Sequence, residues 1–101
     1  MVHVYKGTIG ADLSINVRND LTDAASCDIR VKLPNDSIVV WTPDTITVVS
    51  EISSIIDYET VDGDLDVAGD YTVHVKVYLT DGKVFFCDAF VWKIYDDFEV
   101  P

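Results

Sequence analysis

The stretch Asp64-Leu-Asp-Val-Ala-Gly-Asp-Tyr-Thr-Val-His-Val-Lys-Val-Tyr-Leu79 decides the fold class. Its first half is a polar corner containing Gly69. From Tyr71 onward it alternates: Tyr71, Val73, Val75, Val77 and Leu79 point one way, and Thr72, His74, Lys76, Tyr78 and Thr80 the other. A period of two marks a strand with one buried face. Directly after it, Thr80-Asp81-Gly82-Lys83 has the Asp-Gly chemistry of a primed hairpin turn. A last strand is expected over residues 84–95. Its alternation fails through Phe85-Phe86-Cys87, so a bulge is expected near Asp88, with Phe90, Trp92 and Ile94 buried beyond it.

Toward the N-terminus the same pattern recurs in short pieces. Residues 2–9 read as a first edge strand, with a kink between Gly7 and Gly10. A strand over 12–18 puts Leu13, Ile15 and Val17 on one face. A polar loop from Asn19-Asp20 to Ser26 leads to a strand over 27–33, with Cys27, Ile29, Val31 and Leu33 inward. Pro34-Asn35-Asp36-Ser37 has turn chemistry. It is followed by a strand over 38–42 that carries Trp41, expected in the core. Strands over 46–50 and 55–61 flank a turn at Glu51–Ser54. Many short strands with evenly spaced turns and no helical period predict an all-β sandwich.

With 101 residues the chain makes one domain with one core. A net charge of −11 opposes phosphate backbones and anionic membranes, so neither nucleic acid nor membrane is expected as a partner. The start, Met1-Val-His-Val-Tyr-Lys6, has no basic-then-apolar signal, and no run reaches the ~20 apolar residues of a helical span. A cytoplasmic origin is the expectation. Cys27 and Cys87 lack metal-type spacing and read as two small buried hydrophobes rather than a bridge.

Catalytic chemistry has little to work with. His3 and His74 are the available imidazoles, one near the start of the chain and one in a polar row with Thr72 and Lys76. Neither cysteine has a neighbouring His to lower its pKa. No catalytic residue and no cofactor is assigned. Asp62, Asp64 and Asp66 are alternately spaced, as in calcium loops. Such a loop continues with Gly and closes with Glu. Val67 stands at the Gly position and no Glu follows, so a solvated acidic corner is the expected reading and calcium the second. Tyr78, Tyr95, Phe98 and Val100 are the candidates for contact with a partner.

The passage Ala68-Gly-Asp-Tyr-Thr72 resembles the Ala-Gly-Glu-Tyr-Thr that opens strand F of immunoglobulin-like domains. In that family the Tyr hydroxyl bonds back to the corner and a Cys follows two residues later. Here Val73 stands in that place. The resemblance implies a disulfide-free immunoglobulin-like β-sandwich of about seven to nine antiparallel strands. It would span residues 1–95, with Tyr71 and Gly69 as its structural corner and residues 96–101 as a C-terminal tail.

Further pieces carry a second resemblance. They are Gly7-Thr-Ile-Gly10, Asp20-Leu-Thr-Asp-Ala-Ala25, Ile29-Arg-Val-Lys-Leu-Pro-Asn-Asp36, Val40-Trp-Thr42, the run from Tyr58 to Tyr71, and Phe90–Tyr95. In this order they resemble small bacteriophage structural proteins, including the immunoglobulin-like N-terminal domain of phage baseplate upper proteins. That family commonly has Lys-Pro-Asp-Gly where this chain has Leu33-Pro34-Asn35-Asp36. The resemblance implies a non-enzymatic virion protein assembled in the bacterial cytoplasm. It would join or decorate tail, baseplate, neck, fibre or capsid parts, with other virion proteins as partners in a symmetric multi-copy assembly. The alternative expectation is a carbohydrate- or calcium-binding β-sandwich module.

Overall fold

The computed structural model describes residues 3–18, 21–50 and 53–101. Among them are eight strands and no helix: β1 (Asp12–Val17), β2 (Ala24–Lys32), β3 (Ile38–Trp41), β4 (Thr45–Ser50), β5 (Ser53–Glu59), β6 (Gly69–Leu79), β7 (Val84–Phe86) and β8 (Phe90–Ile94). The strands form two antiparallel sheets. The smaller runs β1-β5-β4; the larger runs β3-β2-β6, with β7 and β8 laid end to end along the far side of β6. The apolar halves of the alternating patterns meet in one core. Leu13, Ile15, Val17, Ile56 and Tyr58 come from the smaller sheet, and Ile29, Val31, Trp41, the inward row of β6 and Ile94 from the larger. Fully burying each such aliphatic side chain stabilises by about 1.5–3 kcal/mol.

Trp41 lies in this core, stacked on Tyr58 at 5.0 Å and edge-on to Trp92 at 6.5 Å. Two buried hydroxyls tie the chain crossings. Thr60 Oγ1 accepts from the Ala11 amide at 3.0 Å, and Ser54 Oγ from the Leu21 amide at 3.2 Å. Both cysteines are free, Cys27 buried and Cys87 half-buried. Cys27 pairs with Val77 on one side of β6, while the Cys87 amide bonds to the Val75 carbonyl on the other. Two strand spacings, about 10 Å, separate their backbones, beyond the ~7 Å a disulfide spans.

Three local readings need correction. The strand expected over 2–9 reduces, in the described residues, to one parallel bridge between Tyr5 and Tyr95, because Gly7 and Gly10 at φ +83° and +85° turn the chain away. The hairpin at Thr80–Lys83 is not a primed turn. The Gly82 amide bonds to the Leu79 carbonyl and the Leu79 amide to the Lys83 carbonyl, and Gly82 alone takes positive φ. That is a three-residue loop, a type I turn closed by a left-handed residue. Phe90 points inward but is 37% exposed, because it sits on the outermost strand of its sheet.

The bulge near Asp88 is present. Lys76 pairs with Phe86 and Val73 with Phe90, so three residues of the last strand oppose two of β6. The extra residue shifts the alternation, which is why the sequence pattern fails there. Smaller boundary shifts place the start of β2 at Ala24, inside the expected loop, whose Asn19 and Asp20 lie outside the described residues. Glu51 and Ile52, at the expected β4–β5 turn, also lie outside them, as do Met1 and Val2.

Candidate functional site

The sequence-predicted corner is assembled where β6 begins. Tyr71 is fully buried, and its hydroxyl donates to the Val67 carbonyl at 2.6 Å. Burial pushes the phenol pKa up. Gly69, at φ +131°, abuts Pro34 of the β2–β3 turn so closely that a Cβ would lie 2.8 Å from the proline Cγ. The turn repeats the three-residue form, with the Asp36 amide on the Leu33 carbonyl at 3.0 Å and Asp36 itself at φ +68°.

The acidic corner is engaged in holding itself together. Asp64 Oδ2 accepts from the Tyr58 hydroxyl and from the Val61 amide at 2.9 Å. Asp62 and Asp66 are exposed on either side. Among the described residues no three His, Cys, Asp or Glu side chains are grouped to hold a metal ion. The histidines meet aromatic rings: His3 lies edge-on to Tyr95 at 5.0 Å, and His74 stacks on Phe86 at 5.2 Å. Burial pushes both cysteine thiols up, away from the reactive thiolate.

The outward face of the larger sheet is the most distinctive surface. It carries Arg30 and Lys32 on β2, and Thr72, His74, Lys76 and Tyr78 on β6, with Arg30 paired to His74 and Lys76 to Phe86 across the strands. Phe86 is half exposed and gathers cations, with the Arg30 guanidinium 5.9 Å and Lys76 Nζ 5.6 Å from its ring centre. Beside them a groove of about 330 Å³ opens between Arg30, Lys32, Ile38, Thr72, His74 and Ala89. With Val31 at its floor, three of the seven lining residues carry basic side chains, on a chain whose net charge is −11. Arg30 and Phe86 were not singled out by the sequence. The adjacent Phe85 and Phe86 look alike there, and only the register of β7 says which one faces out.

Tyr78 lies on this outer face, half-buried, with Lys76 Nζ 5.0 Å from its ring centre. Tyr95 is enclosed by His3, Tyr5 and Lys93 in a local aromatic cluster. The segment after it leaves the sheet and is held by two ion pairs, Lys6–Asp96 at 3.1 Å and Lys93–Glu99 at 3.0 Å. The Glu99 amide bonds to the Asp96 carbonyl, closing a tight turn with Phe98 at φ +62°. A bulky residue at positive φ is uncommon and carries strain. Phe98 is 100% exposed and Val100 88%. The anchored turn therefore presents an aromatic side chain straight to solvent.

The sheet edges add a second exposed surface. β3 and β4 each have a strand neighbour on one side only. Every residue of β4 is exposed and none is charged, and Ile38, Val39 and Val40 of β3 are exposed as well. Such edges are templates for strand addition.

Comparison with family models, with curated proteins and with solved structures gives no match to this chain.

Proposed function

We propose that this chain is a non-enzymatic structural module of a bacteriophage virion, built on an immunoglobulin-like β-sandwich. With β1, β5 and β4 taken as strands B, E and D, and β3, β2, β6 and β7–β8 as C′, C, F and G, the strand order parallels the immunoglobulin one without a strand A among the described residues, which supports this reading. The observation that carries the reading is the Tyr71–Val67 corner at the start of the strand that this order makes F. The ordered motifs from Gly7 to Tyr95 that resemble phage baseplate and tail proteins extend it from fold to role.

The chemistry of a joining or decorating part fits the exposed features. An uncharged edge strand, a cation-bearing sheet face and an anchored aromatic turn are contact surfaces, whereas the histidines lie against aromatic rings and the thiols are held protonated. In this reading the protein assembles in the bacterial cytoplasm and enters tail, baseplate, neck, fibre or capsid in many copies. Mass spectrometry of purified particles tests the role: peptides of this chain at stoichiometric levels are expected, and their absence from particles made by a producing host removes it.

A further inference from the structure

We infer that the turn Asp96–Val100 of one copy docks into the groove on the outer face of the larger sheet of another copy, with Phe98 as the inserted side chain. Three observations carry this. Phe98 is wholly exposed at φ +62°, and two ion pairs hold it there. Strain kept in place by surrounding contacts marks a site with a use. The groove between β2 and β6, about 330 Å³, lies at the small end of ligand-sized pockets and has room for one aromatic ring.

Charge then selects the occupant. The groove is lined by Arg30, Lys32 and His74, of which Lys32 already meets Asp36 at 3.6 Å, with Ile38 and Ala89 supplying apolar wall. The turn places the exposed carboxylates of Asp96 and Asp97 beside Phe98. Asp96 is taken by Lys6, whereas Asp97 has no cation within ion-pair distance among the described residues. Arg30 likewise has no carboxylate within that distance among them. Aromatic insertion plus an Asp97–Arg30 pair uses one free charge from each side. Turn and groove are different patches, so the contact is either exchanged reciprocally in a two-fold dimer or repeated head to tail into a ring or filament. It does not depend on membership of a virion.

Sedimentation of the full chain over a concentration series tests the contact. Concentration-dependent self-association at physiological ionic strength, where the repulsion between copies of net charge −11 is screened, is expected. Phe98→Ala is expected to weaken it roughly tenfold or more, as for a buried aromatic anchor, and the side chain removed is wholly exposed, so the fold is retained. Arg30→Glu and Asp97→Lys should each weaken it too, and the double variant carrying both should recover it. A synthetic peptide of residues 96–101 added to the Phe98→Ala chain should shift the amide resonances of Arg30, Thr72 and His74, and the same peptide with Ala in place of Phe should not. A chain that stays monomeric at every concentration and gives no peptide shifts overturns the inference. So does association untouched by Phe98→Ala and Arg30→Glu but lost in Val48→Lys, which would place the contact on the β4 edge.

Discussion

The Tyr71 hydroxyl reaches back four residues to the Val67 carbonyl, 2.6 Å away, and closes the corner from which β6 departs. Tyr71→Phe keeps the buried ring and removes this bond together with the longer one that the Val67 amide donates to the same hydroxyl at 3.4 Å. The expected cost is about 1 kcal/mol. For a chain of this length that lowers the melting temperature by about 4–8 °C. Thermal unfolding followed by circular dichroism checks it, and a variant that melts with the parent would show that the corner bond contributes nothing.

Gly69 tolerates no side chain where it stands. A Cβ would meet Pro34 Cγ at 2.8 Å on a backbone already at φ +131°. Gly69→Ala is expected to cost about 2 kcal/mol or more, combining overpacking with backbone strain. Pro34→Gly in the same chain removes both clashing atoms, Cγ and the Cβ at 2.9 Å, but not the strain at Gly69, so it should recover only part of the loss. Denaturant titration of the four members of this double-mutant cycle measures the coupling.

Asp36 occupies the left-handed position of the β2–β3 turn that Gly82 fills in the β6–β7 turn. Asp36→Gly should therefore stabilise the fold by about 0.5 kcal/mol, since glycine takes positive φ without steric cost. The substitution also removes the Lys32–Asp36 contact at 3.6 Å, but both partners are largely exposed and such pairs contribute little. A raised urea midpoint with an unchanged slope is the expected result.

The anchored turn should let go in acid. The Lys6 ammonium holds the Asp96 carboxyl below its ordinary pKa. Glu99 is held low by the Asp96 amide and then by Lys93. Both carboxyls titrate lower folded than unfolded, so their contribution is present in full above the unfolded pKa. It is lost as pH falls through the folded one, below about pH 4. Falling protection of the Asp96 and Glu99 amides, with exchange referred to the intrinsic rate at each pH, is the expected outcome as the pH is lowered through that range. Asp96→Asn combined with Glu99→Gln should free the turn at neutral pH.

Much of this architecture can be read from the chain. The rows Leu13-Ile15-Val17 and Tyr71-Val73-Val75-Val77 announce their strands because a half-buried strand has to alternate, and both rows are buried. The edges are harder, because an edge strand lacks a partner on one side and its pattern blurs. β4, Thr-Ile-Thr-Val-Val-Ser, reads as half-buried yet is exposed throughout. The outer-face cluster is harder still. Which of Phe85 and Phe86 meets Arg30 and His74 depends on pairing between strands, which the local pattern does not encode. Phe98 was legible as an exposed aromatic, but not the turn that holds it. That turn depends on Lys6 and Lys93, which the fold brings to its two sides.

The extra residue at Cys87–Ala89 makes the end of the chain sensitive to parity. On either side of it, inward residues follow opposite odd–even numbering: Phe85 is inward before it, and Phe90, Trp92 and Ile94 after it. Excising one residue there would leave two residues opposite Val75 and His74, so the ladder would run on regularly, with Phe90 still on Val73 and Trp92 and Ile94 still inward. Excising Val91, beyond the bulge, would instead turn Trp92 and Ile94 outward and Lys93 inward, since a one-residue slip exchanges the two faces of a strand. Lys93 could then no longer reach Glu99, and one of the two clamps on the Phe98 turn would open. The bulge thus lets two halves of the last strand with opposite numbering share one inward face, and the unbroken alternation beyond it serves both the closure of the core and the display of the aromatic turn.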